Sequence, residues 1–232
     1  LHKKLEQLKK NKIDNVILEA SSHGLSQGRL NGIEFKAGIF TNFSQDHLDY
    51  HKTMSNYFNS KMILFSKLLQ KKKFIITDIS FERYEILKKL SIKKKLKVLC
   101  INKDLINDCN KKINLIGNFQ IKNLCLSILA AKLCGVRSQK IDIILKKIKS
   151  VDGRLELVKK FPNNINVFID YAHTPDALLA ATSSLKRHFN NKLSLVFGCG
   201  GERDISKRAL MAKVALKYCD KIYVTDDNPR NE

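Results

Sequence analysis

The stretch that decides the fold is KFIITDISFERYEILKKLSIKKKLKVLCI, residues 73–101. Its first five residues form a short apolar run, residues 81–90 place apolar side chains at helical spacing, and residues 96–101 are apolar again. Short apolar runs of this length are typical of buried strands. A strand, a helix and a second strand in this order predict a mainly parallel sheet covered by helices.

The same alternation continues on both sides of this stretch. The further elements that we predict are strands at 15–20, 37–42, 155–160, 166–171, 193–197 and 221–225, and helices at 54–70, 118–134, 138–149 and 206–218. Another helix is predicted after Thr174, which suits an N-cap, with Pro175 in its first turn. The sequence therefore predicts an α/β fold in two domains, residues 1–150 and 151–232, joined near residues 149–154.

The composition narrows the class of protein. There are 43 Lys and Arg against 22 Asp and Glu, a net charge of +21, but the lysines occur in short groups without interleaved aromatic residues. That pattern is typical of solvated surfaces, so we expect neither a nucleic-acid-binding nor a membrane-binding protein. The six cysteines lack C-x-x-C spacing, which favours reduced thiols. Without a signal stretch or an apolar run of spanning length, we expect a cytoplasmic protein.

Polar residues at the ends of two predicted strands are candidates for a functional site. Glu19 in a buried strand would need a partner, either a hard cation or a structural ion pair. His47 and His51 lie four residues apart, which suits a metal on one helical face but is also common for capping or surface histidines. Lys61 lies in an apolar helical pattern, where its amine either reaches water or is desolvated and becomes reactive.

Six stretches resemble, in order along nearly the whole chain, signatures of the Mur ligases. They are LEASSHGLSQGRLNGIEFKAGIFTNFSQDHLDYHKTMSNYFNSKMILF (18–65), IGNFQIKNLCLSILAA (116–131), GRLELV (153–158), IDYAHTPDAL (169–178), VFGCGGERDISKRALM (196–211) and TDDNPR (225–230). The resemblance implies part of a central ATPase domain with a mainly parallel sheet, followed by part of a Rossmann-like C-terminal domain.

Within this family, the resemblance implies an ATP-dependent amide-bond ligase that adds the third residue of the peptidoglycan stem peptide. ATP would phosphorylate the D-Glu carboxyl of UDP-N-acetylmuramoyl-L-alanyl-D-glutamate, and the amine of meso-diaminopimelate would attack the acyl phosphate. The implied cofactors are ATP and Mg²⁺, and we expect a monomer. The alternatives are the same ligase adding L-lysine, or a related enzyme such as folylpolyglutamate synthase.

The resemblance also implies roles for individual residues. Glu19 and His47 would hold Mg²⁺ together with Lys61, which matches the lysine that the family carbamylates; all three are expected to be catalytic. The UDP-linked substrate would contact Ser21, Gln27 and Arg29, and ATP would contact Asn123, Arg154, Asp170 and His173, although His173 could instead pack as the residue that leads a helix. Diaminopimelate would be recognised by Arg203, Asp227, Asn228, Pro229 and Arg230, because an arginine can grip its second carboxylate with two hydrogen bonds.

One family feature does not occur in the sequence. No G-x-x-G-K-[ST] phosphate-binding loop is found, and the chain starts without Met and stops shortly after a predicted strand. The sequence thus reads as an internal fragment of a ligase, and we expect negligible turnover from these 232 residues alone.

Overall fold

Strands and helices alternate along the computed structural model, which describes all 232 residues. The helices are α1 (His2–Lys10), α2 (Ser22–Ser26), α3 (Leu48–His51), α4 (Met54–Ile63), a π-helix (Leu64–Leu68), α5 (Tyr84–Lys94), α6 (Lys103–Lys112), α7 (Asn118–Leu133), α8 (Ser138–Leu145), α9 (Pro175–Phe189) and α10 (Ser206–Tyr218). The strands are β1 (Ala37–Ile39), β2 (Phe74–Asp78), β3 (Lys97–Ile101), β4 (Glu156–Phe161), β5 (Ile165–Ile169), β6 (Ser194–Phe197) and β7 (Lys221–Val224). The predicted α/β fold is confirmed.

The chain divides into two compact units, each built from three segments that are separate in the sequence. Unit 1 comprises Leu1–Phe43, Thr53–Ile101 and Leu126–Ser138, and unit 2 comprises Ser44–Lys52, Asn102–Cys125 and Gln139–Glu232. The division predicted between residues 150 and 151 stays a prediction.

Unit 1 contains a parallel sheet in the order β1-β2-β3, as the opening stretch of the sequence predicts. Phe65 and Leu69, which follow α4, pack with Ile75 of β2 and Leu87 of α5 in one apolar core. Leu69 and Ile75 are fully buried, and burial of each such side chain stabilises the fold by roughly 1.5–3 kcal/mol. Helix α2 packs against α4, and this contact lies beside the polar stretch that the sequence singled out.

Unit 2 contains two small sheets. Strands β4 and β5 pair antiparallel around a turn in which Asn163 and Asn164 both have positive φ, a conformation that asparagine tolerates better than most residues. Strands β6 and β7 pair in parallel, and α10 connects them. Helices α9 and α10 pack together, and Met211 and Ala215 are fully buried.

Most of the predicted elements are present, with shifted ends. Thr174 is the N-cap of α9, where its Oγ1 accepts the backbone N–H of Ala177 at 3.3 Å, and Pro175 occupies the first turn as predicted. The predicted 54–70 helix is α4 followed by the π-helix. The chain also forms α1, α2, α3 and α6, which the apolar pattern did not predict.

One predicted strand is wrong. Residues 15–20 form no strand and pair with no strand of the sheet. Ile17 is 87% exposed, whereas Leu18 and Ala20 pack partly buried against the core. Without a neighbouring strand, the apolar pattern alone does not make a ladder. Glu19 consequently lies at an exposed position, and the argument from a buried carboxylate does not hold.

The cysteines are all free thiols, as predicted. Cys109 and Cys125 are buried with their sulfur atoms 3.7 Å apart, and burial is the main reason that the pKa of Cys109 is raised. None of the helices combines the length and the apolar character needed to cross a membrane.

Candidate functional site

The first group of candidate residues surrounds α2 in unit 1. Ser21 is the N-cap of this helix, and its Oγ accepts the backbone N–H of Gly24 at 3.1 Å. A Cβ at Gly24 would lie 3.1 Å from that Oγ, so a glycine suits the close approach. Ser21, Gln27, Arg29 and Glu19 are all exposed. Their side chains are therefore accessible to a ligand from solvent.

Lys61 lies on α4, the helix against which α2 packs. Its side chain is half-buried, and Nζ is 5.0 Å from the centroid of the Tyr57 ring. The face of an aromatic ring attracts a cation, so this position stabilises the ammonium form. An anionic carbamate on Lys61 would have to leave the ring face.

A carboxylate connects two of the candidate histidines in unit 2. Oδ2 of Asp46 lies 3.4 Å from Nε2 of His47 and 3.3 Å from Nε2 of His173. Oδ1 of the same carboxylate accepts the backbone N–H of His47 at 2.8 Å. His47 has a left-handed backbone with φ of 57°, and it precedes α3 instead of sharing a helical face with His51, which is buried.

Two acceptors face the ring of His173. Nδ1 lies 3.0 Å from the backbone oxygen of Tyr171, and Nε2 faces Asp46 at 3.3 Å. A carbonyl and a carboxylate both only accept, so these two contacts favour the protonated ring. The hydrogen bond to Asp46 is the main reason that the pKa of His173 is raised, whereas burial and the positive charge of Lys207 oppose the shift.

Arg154 and Asp170 lie at one turn beside the β4–β5 pair. The two carboxylate oxygens of Asp170 accept the backbone N–H groups of Leu155 at 2.8 Å and Ala172 at 2.9 Å. Burial raises the pKa of Asp170, although these two hydrogen bonds and the charge of Arg154 oppose the shift. The guanidinium carbon of Arg154 is 4.7 Å from the centroid of the Tyr171 ring, and the side chain is exposed. Asp170 thus holds the turn from which Arg154 reaches solvent.

Two loops at the ends of β6 and β7 pack backbone against backbone. The N–H of Gly201 donates to the oxygen of Asn228 at 3.1 Å. A Cβ at Gly201 would lie 1.9 Å from the oxygen of Pro229, a distance that no side chain permits. The glycine-rich loop therefore fixes the position of residues 227–230, and Arg203 follows on the same loop.

The segment Ser44–Lys52 contacts the Arg203 loop within unit 2. Nε2 of Gln45 donates to Oδ2 of Asp204 at 3.1 Å and to Oγ of Ser206 at 3.0 Å. Nη1 of Arg203 lies 3.6 Å from Oδ2 of Asp49. The carboxylate of Asp49 thus faces the guanidinium that the family resemblance assigns to a substrate carboxylate, while Arg203 stays about half exposed.

The structure gathers part of the predicted site in each unit. Unit 1 contains Glu19, Ser21, Gln27, Arg29 and Lys61; unit 2 contains His47, Asn123, Arg154, Asp170, His173, Arg203, Asp227, Asn228, Pro229 and Arg230. No group of three or more His, Cys, Asp and Glu side chains is arranged to hold a metal ion. The roles of these residues stay predictions.

Sequence reasoning missed three residues that contact the candidates. Asp46 joins two histidines, Asp49 pairs with Arg203, and Lys207 is 6% exposed, with its charge acting on both His173 and Asp204. Asp46 and Asp49 lie on either side of His47, in the polar stretch that follows a predicted strand. The sequence therefore showed where they are, but it gave no sign of their distant partners. A buried lysine at the start of α10 gives no signal in the apolar pattern.

Comparison with known proteins places the chain in a family. The model of the Mur ligase middle domain matches residues 1–108, and that of the Mur ligase glutamate ligase domain matches residues 153–232. The chain is 41% identical, over 97% of its length, to a Rickettsia bellii protein named UDP-N-acetylmuramoyl-L-alanyl-D-glutamate–2,6-diaminopimelate ligase, and 39% identical, over 97%, to the Wigglesworthia glossinidia brevipalpis protein of that name. It covers 52% and 50% of those two proteins, so the chain spans about half the length of the curated relatives it matches.

Solved structures agree with this placement. A structure of a protein with the same name matches with a TM-score of 0.58 and 32% identity, over 93% of this chain and 48% of the other. Mycobacterium tuberculosis folylpolyglutamate synthase complexed with ADP matches with a TM-score of 0.67 over 85% of this chain and 49% of the other, but at 17% identity it supports the fold alone. Since the two family models together match most of the 232 residues, the chain belongs to the Mur ligase family.

Proposed function

We propose that the protein is an ATP-dependent ligase that adds meso-diaminopimelate to UDP-N-acetylmuramoyl-L-alanyl-D-glutamate. The relatives at 41% and 39% identity carry the name of this reaction. The observation that carries the proposal is the backbone contact between Gly201 and Pro229, because it holds the loop that bears Arg203 against the segment that bears Arg230. Arginines on two adjoining segments suit an amino acid with two carboxylates.

The proposed reaction has two steps. A carboxylate oxygen of D-Glu attacks the γ-phosphorus of ATP, the bond to ADP breaks, and an acyl phosphate forms. The amine of diaminopimelate then attacks the acyl carbon, the amide bond forms and inorganic phosphate leaves. Positive charge and hydrogen-bond donors near the transferring group lower the barrier, and the exposed guanidinium of Arg154 and the imidazole of His173 are the groups of unit 2 that we assign to it.

The residues that the family resemblance assigns to Mg²⁺ are Glu19, His47 and a carbamate on Lys61. A carboxylate and a carbamate are oxygen donors of the kind that Mg²⁺ prefers. The structure itself arranges no group of three or more His, Cys, Asp and Glu side chains around a metal position, so the assignment rests on the resemblance. A bound Mg²⁺ would neutralise charge on the phosphate oxygens. The contact between Lys61 and Tyr57 favours the ammonium, so the carbamate needs its own test: a ¹³C NMR signal on Lys61 after addition of ¹³C-bicarbonate.

The test of the proposed function is phosphate release by the protein expressed from its complete reading frame. The reaction contains ATP, Mg²⁺, the UDP-linked dipeptide and one amino acid, either meso-diaminopimelate, L-lysine or L-glutamate. We expect release to depend on the UDP substrate and to be fastest with meso-diaminopimelate. Preference for L-lysine would correct the amino acid, and release with L-glutamate and a folate would favour the folylpolyglutamate synthase alternative. No release with any combination would refute the proposal.

We also propose that the protein acts in the cytoplasm as a monomer, because ATP and a UDP-linked precursor are soluble cytoplasmic compounds and the proposed reaction needs no second copy. Cell fractionation checks the first part, and light scattering on the purified protein checks the second.

A further inference from the structure

We propose that Asp46 is a positioning residue that holds the imidazoles of His47 and His173 with one carboxylate. The contact stands on the geometry, whereas its catalytic meaning rests on the proposed function. His47, which is assigned to the metal, and His173, which is assigned to the nucleotide, would thus both be oriented by the carboxylate of Asp46.

The geometry gives Asp46 three partners and leaves it little freedom. The backbone N–H of His47 binds Oδ1 at 2.8 Å, while the Nε2 atoms of His47 and His173 lie 3.4 and 3.3 Å from Oδ2. The first contact fixes the carboxylate relative to its own backbone. The other two then determine where each ring can point.

Burial makes these contacts necessary. The side chain of Asp46 is 18% exposed, against 38% for His47 and 50% for His173, so the carboxylate lies deeper than either ring. A carboxylate removed from water is stable only when it is paired and hydrogen-bonded. The imidazoles of His47 and His173 are the partners of this carboxylate, and the carboxylate in turn holds each ring in place.

The surrounding charges favour an anion at this position. The buried Lys207 places a positive charge close enough to act on His173, and Asp46 is the anion that faces the same ring. A nearby cation is offset when an anion lies beside it. Asp46 is the carboxylate in contact with the His173 ring, so its removal leaves His173 without the partner that orients its Nε2.

The first experiment measures stability and needs no catalysis. Thermal unfolding is compared for the unchanged chain, Asp46→Asn, His173→Asn and the double variant. Because both single changes break the same contact, we expect the double variant to lose no more stability than the worse single variant. Additive losses would show that Asp46 and His173 do not act together, and would overturn the proposal. Asp46→Glu, which keeps the charge on a longer side chain, is the second variant if Asp46→Asn does not fold.

The second experiment measures kinetics in the protein from the complete reading frame. Loss of a residue that orients a ligand group typically reduces activity by about 10–100-fold, so we expect that decrease in kcat for Asp46→Asn, with the KM of the UDP substrate unchanged. When His173 is already replaced by asparagine, Asp46→Asn can affect only His47. We therefore expect Asp46→Asn to reduce kcat less in this background than in the unchanged protein. The control is Asp104→Asn, the same chemical change at an exposed carboxylate in the first turn of α6.

The outcomes separate the two proposals. Coupled stability without any ligase activity would keep Asp46 as an anchor and refute the proposed function. If the unchanged protein is an active ligase and the Asp46→Asn and Asp104→Asn variants have the same kcat, the proposed function stands and the positioning role of Asp46 is overturned.

Discussion

Replacing Gly201 by alanine should damage the candidate amino-acid site more than the fold. The new Cβ would lie 1.9 Å from the oxygen of Pro229, and contacts below 3.0 Å do not occur, so the loop must move by about 1 Å or more. The displaced loop carries Arg230. A misplacement of about 1 Å reduces catalytic efficiency on the order of 100-fold, so we expect that decrease in kcat/KM for meso-diaminopimelate.

The effect on stability should be smaller and is measured separately. Overpacking costs about 1–3 kcal/mol, which lowers the Tm of a protein of this size by roughly 2–12 °C. Gly200→Ala is the matched control, because its Cβ would meet nothing closer than 3.7 Å. Thermal unfolding and phosphate-release kinetics are compared for both variants. If Gly201→Ala and Gly200→Ala behave alike in both assays, the close approach of the two loops does not exist.

Three further predictions use local contacts. Thr174→Ala removes the N-cap of α9 and should lower the stability of the chain by about 1 kcal/mol in chemical denaturation, whereas Thr174→Ser should restore it. Asp49→Asn removes the carboxylate that competes for Arg203, so the KM for meso-diaminopimelate should decrease; an increased KM would mean that Asp49 orients the arginine instead. The hydrogen bond from Lys186 lowers the pKa of Asp220, so its stabilising effect is present above pH 4 and is lost as the pH falls below the ordinary value of 3.8. The difference in Tm between the unchanged chain and Asp220→Asn should therefore shrink on acidification, and a constant difference would contradict the ion pair.

The apolar pattern predicted the parallel strands β2 and β3 well because β2 is almost wholly buried and β3 is largely covered. Ile75 and Ile76 of β2 are fully buried, and in a buried strand each residue of the run can be apolar, which makes the strand easy to predict. The segment at 15–20 carries the same signal and forms no strand, because a strand depends on its neighbour as well as on its own residues. The apolar pattern alone therefore overestimates strands where no neighbouring strand is available for pairing.

The candidate site shows a related limit. Resemblance to a family identified His47 and His173, but not the carboxylate between them, because Asp46 and His173 lie 127 positions apart. Their contact arises from the folding of unit 2 and leaves no trace in local spacing. The raised pKa of His173 likewise depends mainly on Asp46, which only the folded chain brings to its ring.

The discontinuous composition of unit 2 has a consequence for the order of folding during synthesis. The segment Ser44–Lys52 leaves the ribosome early, yet Gln45 contacts Asp204 and Ser206, 159 and 161 positions later. Closing so long a loop is slow, and it cannot be completed before residue 206, the first of α10, has been made. During this interval the segment that bears His47, which in the chain separates two parts of unit 1, lacks its contacts with Asp204 and Ser206. A nascent chain stalled before residue 204 should therefore expose this segment to a protease that the finished protein resists.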